Sequence, residues 1–186
     1  VVVDPNAYYQ NNFDEATITT LETEGWKGLG QYDMFNGALR GKNANAYYDK
    51  ADAYEWTDYT YETKMTIATK KVDNTVDGYF GIRFGVNNSG NGIEYGIRYK
   101  SSDNSFAYRV YDRINKQHLI TETSLSGKGL ALDKQMTLKV EIKADIFTIY
   151  LNGEKLGSKT LSNNITGTVG TLMSANTVYL LFDDMS

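Results

Sequence analysis

The residues best equipped for chemistry concentrate in "YFGIRFGVNNSGNGIEYGIRYK" (79–100), where Arg, Glu, Lys and Tyr alternate with glycine opposite an apolar set. With Phe80, Ile82 and Phe84 facing a core, period two sends Tyr79, Gly81, Arg83 and Gly85 outward. On the next strand Tyr95, Ile97 and Tyr99 turn in, while Glu94, Gly96, Arg98 and Lys100 turn out. "SFAYRVYDR" continues the pattern, with Phe106, Tyr108 and Val110 inward and Ala107, Arg109 and Tyr111 outward. Short turns at "NNSGNG" and "SSDN" set the expected rows Gly85, Glu94, Tyr111; Arg83, Gly96, Arg109; and Gly81, Arg98, Ala107. A glycine weakens a strand, so its repetition on one face marks close approach by another molecule or by backbone. The arginines and Glu94 offer directional hydrogen bonds suited to sugar hydroxyls, and Tyr79 and Tyr111 offer flat rings on which a sugar can stack. An aromatic platform with a few convergent polar groups is a shallow binding site. The competing reading is a salt-bridged surface whose glycines relieve twist or line bulges.

Other chemistries lack their residues. The chain has no cysteine, which removes disulfides and thiolate metal sites, and a single histidine, His118, which builds neither a histidine cluster nor a triad. No nucleophile elbow, phosphate loop or dinucleotide fingerprint occurs. Glycan hydrolysis on a sandwich needs two carboxylates facing the sugar. The stretch closest to the Glu-x-Asp-x-x-Glu or Glu-x-Asp-x-Glu strand of family-16 glycanases, "VEIKADIF", misses its spacing. The expectation is therefore a binding protein and not an enzyme. Trp26 and Trp56 sit beside loop signals, and either could stack on sugar or pack at a sheet edge; "YYDKADAYEW" (47–56) could wall one end of the face.

Composition sets the frame for these residues. With 186 residues, 41% hydrophobic and 23% charged, the chain can bury one sizeable core. A net charge of −4 argues against a nucleic-acid partner, and no apolar run is long enough for membrane insertion. Period-two alternation recurs from end to end with no sustained helical period, as in "YTYETKMTI", with Tyr59, Tyr61, Met65 and Ile67 on one side. Asn-Gly pairs at 36, 91 and 152 and the pair Ala144-Asp145 mark turns, and strands flank residues 174–176. The expected architecture is an all-β, two-sheet antiparallel β-sandwich without helices, one domain over residues 1–186 with 1–10 as an irregular arm.

The order "NFDEATITTLETEGWKGLGQYDMFNGALRG", "EWTDYTYETKMTI", "YFGIRFG", "LKVEIKADIFTIYLNGEKL" and "VYLLFDDMS" resembles the concanavalin A-like (laminin-G-like) jelly rolls of bacterial carbohydrate-active proteins, over residues 12 to 186. Carbohydrate-binding module family 66 looks most similar, and keto-disaccharide hydrolase domains share the pattern. The resemblance implies a noncatalytic module that keeps a larger secreted bacterial protein, with its appended catalytic or cell-surface domains, on a polysaccharide of fructan, hemicellulose or pectin type. Val1 in place of Met fits an excised domain or mature fragment. Site residues on this reading are Tyr79, Arg83, Glu94, Arg98, Arg109, Tyr111 and Trp56. The resemblance also implies a structural calcium ion between first and last strands, with Asp14 and Asp183 at the acidic positions and Asp184 as a substitute for Asp183; a hard cation would relieve repulsion between carboxylates brought together there. Alternatives are a glycan-degrading domain of the keto-disaccharide type and a surface adhesion sandwich that binds protein.

Overall fold

The alternating patterns form strands, and the strands form two layers. The structure, a computed structural model, describes residues 9–41, 45–68, 78–174 and 179–186. Its strands are β1 (Trp26–Lys27), β2 (Tyr32–Phe35), β3 (Ala38–Gly41), β4 (Tyr47–Tyr48), β5 (Thr60–Ala68), β6 (Tyr79–Val86), β7 (Ile93–Lys100), β8 (Ser105–Asp112), β9 (Gln117–Ser124), β10 (Met136–Lys143), β11 (Ile146–Leu151), β12 (Glu154–Thr160), β13 (Thr168–Met173) and β14 (Tyr179–Asp183). Among the described residues the first sheet runs β1-β4-β13-β6-β7-β8-β9 and the second β12-β11-β10-β5-β14-β3-β2, every pairing antiparallel. This is the jelly-roll sandwich that the sequence led us to expect.

The core lies where period two placed it. Phe80, Ile82, Phe84, Tyr95, Ile97 and Val110 of the first sheet are buried against Met65, Ile67, Leu138, Val140, Phe147 and Ile149 of the second. Asn36-Gly37 and Asn152-Gly153 close hairpins with positive φ at both residues, as a type I′ turn requires. Asn91-Gly92 does not: the β6–β7 connection instead closes around Asn87, whose backbone N–H donates to Asn91 O (2.8 Å) and whose carbonyl accepts from Gly90 N (2.8 Å).

One expectation fails. The segment ITTLETE folds as helix α1 (Ile18–Glu24), although no helix was expected. Thr17 and Thr20 form a reciprocal capping box and Gly25 ends the helix at φ 115°. Seven residues that bury only Leu21 carry too little apolar periodicity to be seen. Most of the expected arm at 1–10, and the centre of the turn at 174–176, lie outside the described residues. The two ends of the domain do meet, through paired backbone hydrogen bonds between Asn11 and Met185 (3.0 and 2.9 Å).

Candidate functional site

The outward set lands on one face of the first sheet, with its parity intact and one register corrected. Observed rows are Arg83, Glu94, Tyr111; Gly81, Gly96, Arg109; and Tyr79, Arg98, Ala107. The β7–β8 register is the expected one, whereas β6 is displaced by two residues. Gly85 causes the displacement: it takes φ 56°, leaves the β6–β7 ladder at Phe84↔Ile93, and lengthens the loop beyond "NNSGNG".

The glycines answer to backbone and side chains of the same molecule. A Cβ on Gly81 would lie 2.2 Å from Tyr95 O, and one on Gly96 would lie 2.9 Å from Tyr79 Cβ and 3.0 Å from Leu172 Cδ2. The expected trough over Gly96 is thus filled by Tyr79 and Leu172. Tyr79 in turn becomes the centre of a stack. The Arg109 guanidinium carbon sits 3.6 Å from its ring centroid and 5.1 Å from that of Tyr111, and Arg98 sits 5.8 Å from Tyr79. His118, directly across from Tyr111, meets it edge-on with centroids 5.1 Å apart.

Two carboxylates organise these cations. Glu122 of β9 accepts from the Tyr79 hydroxyl, and pairs with Arg98 (2.9 Å) and Lys100 (2.9 Å). These partners, the Tyr79 bond first, hold its pKa down to about 2. Glu94 is 3% exposed, 3.4 Å from Arg113 and 3.8 Å from Arg109.

The two central arginines differ. Arg83, 5% exposed, donates through Nε to Thr171 O (2.9 Å), through Nη1 to Gly90 O (2.5 Å) and through Nη2 to Ala46 O (3.2 Å). It ties β6, β13 and two loops together, and burial lowers its pKa. Its place is that of a strut under the face, which differs from the ligand-contacting role expected of it. Among the described residues Arg109 has its stacking contacts and the long pair to Glu94, and its buried Nε has no hydrogen-bond partner.

Beyond Tyr111 the face opens into a cleft of about 530 Å³ lined by Asn87, Ser89, Asn91, Tyr111, Arg113, Ile114 and Lys116. Both walls are internally held. Asn87 Oδ1 accepts from Ser89 N (3.0 Å) and Asn91 N (3.1 Å), while Asp112 Oδ1 accepts from Ile114 N (2.9 Å) and Asn115 N (3.0 Å). A second cleft of about 490 Å³, at the end of the sandwich against residues 159–166, adjoins the first across Asn87 and Ile114. Sequence reasoning missed Arg113, although it extends the Arg109, Tyr111 alternation, and missed Glu122, because two register shifts opposite Val110 break the parity of β9. Trp56 lines neither cleft. It is half-buried, stacks on Tyr48 at 5.8 Å and meets Tyr59 edge-on, in a cluster with Trp26 and Tyr9.

The acidic residues expected to hold calcium do not gather. Among the described residues no group of three Asp, Glu, His or Cys side chains is close enough to share a metal ion. Asp14 accepts from Asn12 Nδ2 (2.8 Å), Asp184 is paired with Lys64, and Asp183 accepts from Gln135 Nε2 (3.3 Å). Burial, then the neighbouring Asp184, raises the Asp183 pKa. As arranged, the three residues do not fit a calcium cage.

The fold is a jelly-roll β-sandwich, an architecture found in solved structures of a carbohydrate-binding module, a glucanase and a carbohydrate recognition domain. Three solved structures are instructive. Carbohydrate-binding module family 66 from Bacillus subtilis matches with a TM-score of 0.64 at 18% identity, covering 87% of this chain and 93% of that one. The beta-glucanase of Bacillus licheniformis matches at 0.66 and 11% identity, covering 95% of each. The carbohydrate recognition domain of Emp47p matches at 0.64 and 9%, covering 95% of this chain and 93% of that one. Identities this low make the likeness one of fold. No protein-family model matches the chain, and no curated protein matches its sequence.

Proposed function

We propose that this domain binds a polysaccharide or oligosaccharide through Arg98, Tyr79, Arg109 and Tyr111 and the adjoining cleft, without cleaving it, as the targeting part of a larger secreted bacterial protein. The observation that carries this reading is Arg109: its guanidinium carbon lies 3.6 Å from the Tyr79 ring centroid and 5.1 Å from that of Tyr111, and its ion pair to Glu94 is long, at 3.8 Å. The part of its side chain left on the face, 20% exposed, offers N–H donors to a ligand oxygen. A sugar supplies hydroxyl oxygens to it and C–H faces to Tyr111. The rigid cleft walls reduce the ordering cost of binding. Structural likeness to a carbohydrate-binding module and a carbohydrate recognition domain supports the same reading. Weak affinity suffices for targeting, since attachment raises the effective concentration of whatever is linked to the domain.

Against the hydrolase reading stands the charge state of the face. A glycosidase needs one carboxyl that stays protonated to act as acid. Glu122 is held as an anion by Tyr79, Lys100 and Arg98. Calcium at Asp14, Asp183 and Asp184, which the resemblance implies, would require Lys64 to leave Asp184. The test of function is a polysaccharide array followed by calorimetry on the best ligand. Arg109→Met and Tyr111→Ala should each weaken binding at least tenfold with melting unchanged, and no reducing ends should appear. Full affinity in both variants would move the site off this face, and reducing-end release lost on Glu94→Gln would make the domain an enzyme.

A further inference from the structure

Resting on that reading, we infer that the ligand is an acidic saccharide, one that presents a uronic-acid carboxylate to the cleft beyond Tyr111. The chain as a whole carries a net charge of −4, yet the charge this cleft exposes is positive. Among the described residues its lining includes Arg113 and Lys116 and no Asp or Glu. Arg109 stands immediately behind, over the same tyrosine. Two carboxylates lie near these cations, and both are turned away from solvent. Glu94 is beneath Arg109 and Arg113, and the buried Asp112 is occupied by Ile114 N, Asn115 N and Asn115 Nδ2 (2.7 Å).

Arg113 is the group that would read the carboxylate. Its side chain is 54% exposed, and its contact with Glu94, Nε to Oε1 at 3.4 Å, is longer than an ordinary hydrogen bond. The outer edge of a guanidinium is a planar fork that matches a carboxylate with two parallel bonds. Lys116, held at φ 53° at the turn tip, adds a point charge on the same rim. The opposite wall, with Asn87, Ser89 and Asn91, is uncharged and supplies amide and hydroxyl groups for the remaining sugar hydroxyls. Ile114, 51% exposed between the two clefts, offers an apolar ridge for the C–H face of a sugar ring. A neutral glycan would leave Lys116 and the solvent-facing side of Arg113 to water, whereas a uronate pairs with them. Of fructan, hemicellulose and pectin, the arrangement favours the acidic one.

The experiment compares polygalacturonate, its methyl-esterified form, neutral levan and dextran sulfate by affinity electrophoresis and calorimetry. Polygalacturonate should bind at least tenfold more tightly than its methyl ester, and raising NaCl from about 50 to about 500 mM should weaken it severalfold, because exposed charges are screened within about a Debye length. Arg113→Gln with Lys116→Gln should remove that advantage. Lys143→Gln with Lys155→Gln, which deletes equal charge from the second sheet, should keep it. Equal, salt-insensitive binding of ester and acid through Tyr111 would overturn the acidic assignment and leave glycan binding standing. Dextran sulfate binding more tightly than polygalacturonate would overturn the carboxylate. No binding to any glycan would overturn both.

Discussion

Replacing Arg83 and Arg109 by methionine should separate stability from binding on one face. Methionine keeps most of the chain length and removes the charge and all donors. Arg83 donates to Thr171 O at 2.9 Å, Gly90 O at 2.5 Å and Ala46 O at 3.2 Å. A hydrogen bond from a charged donor contributes about 1.5–3 kcal/mol, so three could total about 4.5–9 kcal/mol. Two effects reduce the loss. Ala46 O keeps bonds from Thr171 N (2.8 Å) and Thr171 Oγ1 (3.4 Å), so it is not orphaned. Removing a buried guanidinium also removes its desolvation cost, the cause of the lowered Arg83 pKa. The expected net loss is about 2–4 kcal/mol. For a chain of this size that corresponds to about 4–16 °C in Tm. Arg109 makes no comparable bond, and its stacking is worth about 1 kcal/mol or less at a partly exposed site. Urea unfolding with a shared m-value measures both. A loss below about 0.5 kcal/mol for Arg83→Met, the range of ordinary surface substitutions, would refute the strut argument. So would an equal loss for Arg109→Met.

Two further outcomes follow from charge. The Glu122 pKa is lowered from 4.5 to about 2 in the folded state, so its stabilising contribution is complete above about 4.5 and is lost as pH falls through about 2; Tm measured from pH 6 to pH 2 should fall less steeply across that window in Glu122→Gln, and parallel curves would show that the Tyr79, Arg98 and Lys100 contacts are not formed. Exchanging EDTA for millimolar calcium should leave Tm within about 1 °C, because Lys64 already neutralises Asp184; a rise of several degrees that Asp183→Asn abolishes would show that the cation draws the two chain ends into a site of its own.

The sandwich was legible because burial on β5, β10 and β11 selects every second residue, whereas β6 and most of β7 are buried on both faces and show the period only in their alternating residue types. Parity on β6 survived even where register did not. The two-residue displacement came from Gly85, whose left-handed backbone is invisible in a string where five glycines look alike. Helix α1 was missed for the opposite reason: its signals are a Thr17–Thr20 cap and a terminal glycine, with no periodicity behind them.

The site was legible as a face and not as a set of roles. Arg83 and Arg109 have the same residue type and the same parity, and their difference comes from what lies beside each strand. β6 is interior, with β13 on its far side, so Arg83 reaches carbonyls at residues 46, 90 and 171 that only the folded chain brings near. β8 lies between β7 and β9, where Gly96 leaves room for Tyr79 and Arg109 to stack one above the other. Glycine on this face therefore does in the structure what the sequence suggested, permitting close approach, but the approaching groups are the protein's own. That self-contact is what holds Arg109 in position with an unused donor. A face that filled its trough with a ligand would need to assemble the platform at the moment of binding, whereas this one has it built before the ligand arrives.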